Sequence, residues 1–149
     1  MGMPEIRAGL AMVEALVPGI KAAYDYVPDS APLVLPCFIN VIESGTFVTP
    51  RMFGLRQSTH LIKAKCLVQY QSSLENAERA VEKILYDFTN TLDHWKTLGN
   101  VERVISADVL DYEYGSITLA SQPDQPFVGI SFTVQIEEND MPVYYTASA

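Results

Sequence analysis

The sequence predicts an α+β protein: a mostly antiparallel β-sheet packed against one long amphipathic helix, with an N-terminal helical segment added. Three observations predict it. Residues 59–70 alternate apolar and polar, as a strand with one buried side does. Residues 74–95 place apolar side chains at steps of one, three or four, the spacing of a helical stripe. Residues 127–136 alternate again, which returns the chain to a sheet.

The chain of 149 residues is predicted to be one domain, spanning 1–149, and long enough to bury roughly 70% of its unfolded surface. Residues 4–25 form an N-terminal helical region. Pro4 and Glu5 suit a first turn, where a missing N–H does no harm and a negative charge favours the helix dipole. Ile6, Leu10, Val13, Leu16 and Val17 make its apolar stripe. Pro18-Gly19 ends or kinks the helix, and Ile20 to Tyr26 continue as a second helical turn or two.

Residues 32–70 are predicted as strands joined by a projecting loop. The run 32–42 is almost continuously apolar, and Pro36 places itself at an edge or a bulge because it lacks a ladder donor. Residues 43–57 mix Gly, Pro, aromatic and basic residues without a clean period. They read as a long loop or a projecting hairpin, with Thr49-Pro50 as its turn. In the strand 59–70, Ile62, Ala64, Cys66, Val68 and Tyr70 share one face, and Leu67 breaks the alternation.

The long helix, 73–98, is the best-specified element. Ser72 and Glu75 have capping-box spacing. Leu74, Ala77, Val81, Ile84, Leu85, Phe88, Leu92 and Trp95 form the stripe, with Trp95 expected to anchor the helix end in the core. Gly99 supplies a left-handed cap. Strands then fill 101–136, with turns expected at Gly115-Ser116 and at Gln122 to Pro126. Residues 137–149 read as an extended tail, whose Val143, Tyr144 and Tyr145 either dock on a neighbour or pack back on the same chain.

Composition narrows the function classes. Hydrophobic residues make up 48% and charged residues 19%, which fits a folded protein and not a disordered one. The net charge is −8, so the basic footprint of a nucleic-acid binder is missing. Cys37 and Cys66 lie in apolar strand-like runs and read as buried free thiols. No leader with a basic start and an apolar core opens the sequence, and no apolar run approaches ~18 residues, so an intracellular chain is expected.

Signals for catalysis are poor. Phosphate-cradling glycine motifs and a nucleophile elbow are missing, His60 and His94 are isolated, and no CxxC pair occurs. No catalytic, cofactor or metal residue is assigned. The nearest carboxylate cluster is Asp108, Asp111 and Glu113. Asp111 and Glu113 share a strand face, so acid–base or cation chemistry is conceivable there, against the plainer reading of a solvated acidic face. Beside them, Tyr112 and Tyr114 read as an edge or interface strand. Phe47, Arg51, Phe53 and Arg56 give the 43–57 segment the aromatic and arginine anchors enriched at interfaces.

The order helix, strand, projecting loop, strand, long helix, strands resembles the tail terminator (tail completion) proteins of long-tailed bacteriophages. The resemblance covers about residues 4–137. It is carried by the 59–70 strand feeding the helix Leu74–Leu98 and by Gly99-Asn100 opening a β segment. It continues in Tyr112-x-Tyr114-Gly115-Ser116 and in the closing run Phe127-Val128-Gly129-Ile130-Ser131-Phe132-Thr133-Val134. What it implies is a structural, non-enzymatic protein without a cofactor, assembled in the host cytoplasm and resident in the tail–neck region of the virion. Such proteins form hexameric rings that cap the tail tube, end its polymerisation and meet the neck connector. The partners implied are further copies of the chain, the tail tube protein and the connector protein, with no membrane. DNA would pass the lumen without specific binding, and the acidic balance suits that passage. Two alternatives stand beside it: another neck or head–tail joining protein, and a small α+β enzyme or ligand-binding domain using Asp108, Asp111 and Glu113.

Overall fold

Pro18 and Gly19 stop the first helix, α1 (Met3–Ala15), and the chain leaves it as an extended strand. The computed structural model describes residues 3–26, 33–48, 56–70, 74–101, 103–119 and 122–140. After α1 come β1 (Ala22–Tyr24), β2 (Cys37–Val48), β3 (Arg56–Tyr70), the long helix α2 (Leu74–His94), β4 (Val104–Leu119) and β5 (Gln122–Asp140). The five strands form one sheet in the order β1-β2-β3-β5-β4.

The α+β class is as predicted, but the sheet is mixed. β1 runs parallel to β2, pairing Ala22, Ala23 and Tyr24 with Cys37, Phe38 and Ile39. The expected second helical turn at 20–26 is therefore this strand. Lys21 donates its backbone N–H to the Pro36 carbonyl at 2.9 Å, which seats the segment beside β2. About a dozen residues separate β1 from β2, enough for the crossover that a parallel pair needs. Pro36 lies just before β2, so no ladder donor is lost within that strand.

Two helices share the core with one face of the sheet. α1 contributes Ile6, Leu10 and Val13. α2 contributes Val81, Ile84, Phe88 and Leu92, and the sheet adds Ile62, Ala64, Cys66, Ile130, Phe132, Val134 and Ile136. At the centre, the Phe88 ring lies 5.0 Å from that of Phe38 and 4.6 Å from that of Phe132. Each such buried side chain contributes about 1.5–3 kcal/mol of transfer free energy. A second, smaller cluster lies apart from this core and gathers Cys37, Ile39, Leu67, Ile117, Leu119 and Phe127. It explains Leu67: the residue that breaks the alternation of β3 belongs to this other cluster.

The end of α2 departs from expectation. Trp95 is 39% exposed, and Leu98, at 1%, is the residue that enters the core. The chain turns there through three left-handed residues, Leu98, Gly99 and Asn100. Gly99 is the predicted cap, and a Cβ on it would meet Met12 Cε at 2.4 Å. Leu16, expected in the α1 stripe, is also exposed, because the helix has already ended at Ala15.

The 43–57 segment is a hairpin where it is described. β2 continues through Val48, and β3 begins at Arg56, with Ser44 to Val48 paired against Leu61 to Gln57. The expected Thr49-Pro50 turn lies outside the described residues, as does Ser72 of the expected capping box. Gly115-Ser116 is not a turn: β4 passes straight through, with Gly115 opposite Gly129 and Ser116 opposite Val128. Gln122, expected to begin a turn, is already in β5 and pairs with Leu119. The ladder then resumes only at Phe127 opposite Ile117, so 123–126 is an irregularity inside a strand. Pro123 and Pro126 have no N–H to lend to a ladder there. The predicted tail is strand as far as Asp140, and the remainder lies outside the described residues. Among the described residues, no helix is long and apolar enough to cross a membrane.

Cys37 and Cys66 are free and buried, and they belong to the two different clusters. Burial pushes the Cys37 thiol up to about 12 and raises that of Cys66 as well. Both are expected to resist a thiol-specific reagent in the folded protein and to react on unfolding; rapid native labelling of either would contradict their burial. Gly129 lies close against β3, and an added Cβ would collide with the Cys66 carbonyl oxygen. Gly129→Ala is expected to cost about 1–3 kcal/mol in urea unfolding, and Phe132→Ala about 3–5 kcal/mol.

Candidate functional site

Strand edges carry the chemistry that this fold leaves open. An unpaired edge presents a row of N–H and C=O groups ready to pair with another strand. Among the described residues, β4 pairs only with β5, so its outer edge is open along the strand. At the other side of the sheet, β1 covers β2 only at Cys37, Phe38 and Ile39. The rest of β2, out to Val48, has β3 as its one described partner. Among the described residues, one sheet thus has two open edges.

Both edges carry exposed apolar side chains. On β4 these are Ile105, Leu110, Tyr112 and Tyr114; on β2 they are Ile42 and Phe47. Tyr112 and Tyr114, predicted as interface residues, are therefore together on an open edge. Phe47, also predicted, is 62% exposed on the opposite edge, with its ring edge-on to His60 at 6.1 Å. Arg56 opens β3 opposite Asp140. Arg51, Phe53, Tyr144 and Tyr145 lie outside the described residues.

Ile105 and Leu110 were not among the predicted interface residues. The β4 register slips between Val104 and Ser106 and again between Val109 and Asp111, so each of the two is an inserted residue opposite no partner. A bulge re-aims the strand and leaves its extra residue outside the ladder. The signal was in the sequence: Val104-Ile105 and Val109-Leu110 are adjacent apolar pairs in a strand that otherwise alternates.

The register sets Asp108, Asp111 and Glu113 opposite Gln135, Thr133 and Ser131, alternate residues that share one face of β5. Asp108 Oδ1 accepts a 2.6 Å hydrogen bond from Lys96 Nζ, and that bond, with the charge of Asp108, raises the lysine above its usual value. Asp111 and Glu113 are exposed and stand opposite Thr133 and Ser131 of β5. Lys63 Nζ donates to Thr133 Oγ1 at 2.7 Å on the neighbouring strand. Glu113 borders an open depression of about 330 Å³ with Lys65, Tyr114, Ser116, Thr118 and Ser131. Among the described residues, no group of three or more His, Cys, Asp and Glu side chains is placed to hold a metal ion.

Two buried polar pairs support the sheet. His60 Nε2 and Glu138 Oε1 share a 2.7 Å hydrogen bond across β3 and β5. Arg7 and Glu14 of α1 are buried against β2, where neither was expected. Arg7 Nε donates to the Asp25 carbonyl and Nη2 to the Asn40 carbonyl, each at 2.7 Å, and its guanidinium stacks over Tyr26 at 4.0 Å. Glu14 follows Leu10 by four residues, so its place on the apolar stripe was readable.

No known protein-family model and no curated protein matches this chain.

A shallow groove between the helix ends is lined by Leu16, Asn90, Thr91, His94 and Trp95. Trp95, the single tryptophan of the chain, stands at its rim with the His94 ring edge-on at 6.0 Å. Its fluorescence is expected to be readily quenched by acrylamide in the native protein; strong protection would mean that Trp95 is a core anchor after all.

Proposed function

We propose that this chain is a structural subunit that joins copies of itself edge to edge into a ring, and that it serves as a phage tail terminator. The observation that carries the reading is the pair of open edges on one sheet. β2 and β5 run one way, and β3 and β4 run the other. A second copy carried along the sheet without being turned over sets its β2 antiparallel to β4 of the first. The alternation of strands then continues across the junction. Because the two edges differ, the contact is heterologous, and such a contact closes into a ring when each step adds a fixed rotation. Ile42 and Phe47 on one side and Leu110, Tyr112 and Tyr114 on the other provide apolar surface to bury at that contact.

The tail tube and the neck connector come from the resemblance of the strand, helix and closing strand pattern. The acidic balance, with a net charge of −8, suits a lumen that DNA traverses without adhering. In this reading, residues of the hairpin arms beyond the helices are the ones to face a neighbour, and Phe47 is the most exposed large apolar residue there.

Native mass spectrometry of the purified chain is expected to give a hexameric species. Leu110→Lys and Ile42→Lys each place a charge on one edge, and each is expected to return the protein to monomer while its circular dichroism stays native. A wild type that remains monomeric at every concentration would defeat the ring. Variants that assemble as well as the wild type would defeat the edge contact. Labelled subunits are expected at the head-proximal end of the tail tube in imaged particles; a label elsewhere in the neck would favour another joining protein.

A further inference from the structure

Asn40 Nδ2 donates to Glu14 Oε1 at 2.7 Å and also lies 3.1 Å from the Tyr24 carbonyl. Glu14 and Asn40 are both fully buried. Each nevertheless has one oxygen without a partner among the described residues, Oε2 on Glu14 and Oδ1 on Asn40. Two orphaned acceptors on two side chains that already share a hydrogen bond have a simple common solution. A carboxylate only accepts, whereas a protonated carboxyl also donates. One proton turns Oε2 into the donor that Oδ1 lacks.

We propose that in the folded protein Glu14 is a neutral acid that donates its proton from Oε2 to Asn40 Oδ1, closing a two-bond ring with the Asn40 amide that latches α1 onto β2. The proton is taken from solvent as the chain folds and returns to solvent when the latch opens. The hydrogen bonds of Arg7 go to the backbone carbonyls of Asp25 and Asn40.

The groups around the latch are few. α1 itself brings Arg7. β1 and the residues after it bring Tyr24, Asp25 and Tyr26, and β2 brings Asn40 and Cys37. β3 brings Cys66, whose thiol is raised first by burial and further by the nearness of Cys37 and of Glu14. α2 meets this core through Val81, Ile84, Phe88 and Leu92, and its Asp87 has one buried oxygen. Desolvation, the largest influence, pushes the Glu14 carboxyl well above its usual value; the Asn40 hydrogen bond opposes it in smaller measure. A raised carboxyl favours the folded state fully below the unfolded carboxylate value. That advantage is lost as pH rises toward the folded value.

The test compares wild type with Glu14→Gln in urea unfolding from about pH 5 to about pH 9. Glutamine supplies an N–H where the latch has its O–H, so the ring forms without a titrating proton. The folding constant of E14Q relative to wild type is expected to rise about tenfold per pH unit until Glu14 releases its proton. Parallel pH curves would overturn the proposal. If E14Q does not fold, infrared difference spectra of wild type with carboxyl-labelled glutamate decide. A protonated glutamate carbonyl band at neutral pH that vanishes on unfolding supports the latch; carboxylate bands alone overturn it.

Discussion

The pairing of β3 with β5 is the constraint on which the rest of the structure depends. These two strands lie at the middle of the sheet and pair from Arg56 opposite Asp140 to Tyr70 opposite Phe127, with one slip between Leu67 and Gln69. Side chains alternate faces along a strand, so a slip of one residue would turn Ile62, Ala64, Cys66, Ile130, Phe132 and Val134 away from the helices. Two local features fix the register. His60 reaches Glu138 only in this alignment, and Gly129 lets its strand approach the Cys66 carbonyl as closely as it does. α2 then lays its stripe on the face that this pairing creates.

What lies outside the central pair is less committed. Among the described residues, β4 and the outer part of β2 are each held by one strand, and both have large apolar side chains in solvent. A monomer that worked alone would be expected to blunt such edges with charge, with proline or with a covering loop. β4 has such charge in the exposed Asp111 and Glu113, and its bulges leave the apolar Ile105 and Leu110 exposed beside them. The preserved antiparallel order makes the two edges fit each other, and that relation, more than any pocket, supports assembly as the role of this fold.

The buried polar cluster between α1 and β2 works in the opposite sense, binding an outer helix tightly to the sheet. Glu14 and Arg7 interrupt an apolar stripe, and burying them without partners would cost several kcal/mol. Their partners are backbone carbonyls and a single asparagine from elements remote in sequence. These bonds tie α1 to Asp25 and Asn40 at defined points along its length.

The sequence by itself determined the elements whose signal is local. The period of 59–70, the α2 stripe from Val81 to Leu92 and the alternation of 127–136 each follow from side-chain spacing, and Gly99 as a cap follows from its permissive backbone. The free thiols were legible for the same reason, since both lie in apolar runs. Tertiary structure decided whatever depends on a partner distant along the chain. The segment 20–26 is too short to declare itself, and becomes a strand only because β2 offers an edge parallel to it. Gly115-Ser116 looks like a turn until Gly129 and Val128 pair with it. Trp95 and Leu98 compete for one place under α1, and the left-handed turn awards it to Leu98. The open edges were half visible: Tyr112, Tyr114 and Phe47 showed exposed aromatic residues, but which strands end the sheet is a property of the whole fold. Periodicity reports which side of an element is buried; only the assembled sheet says what stands beside it.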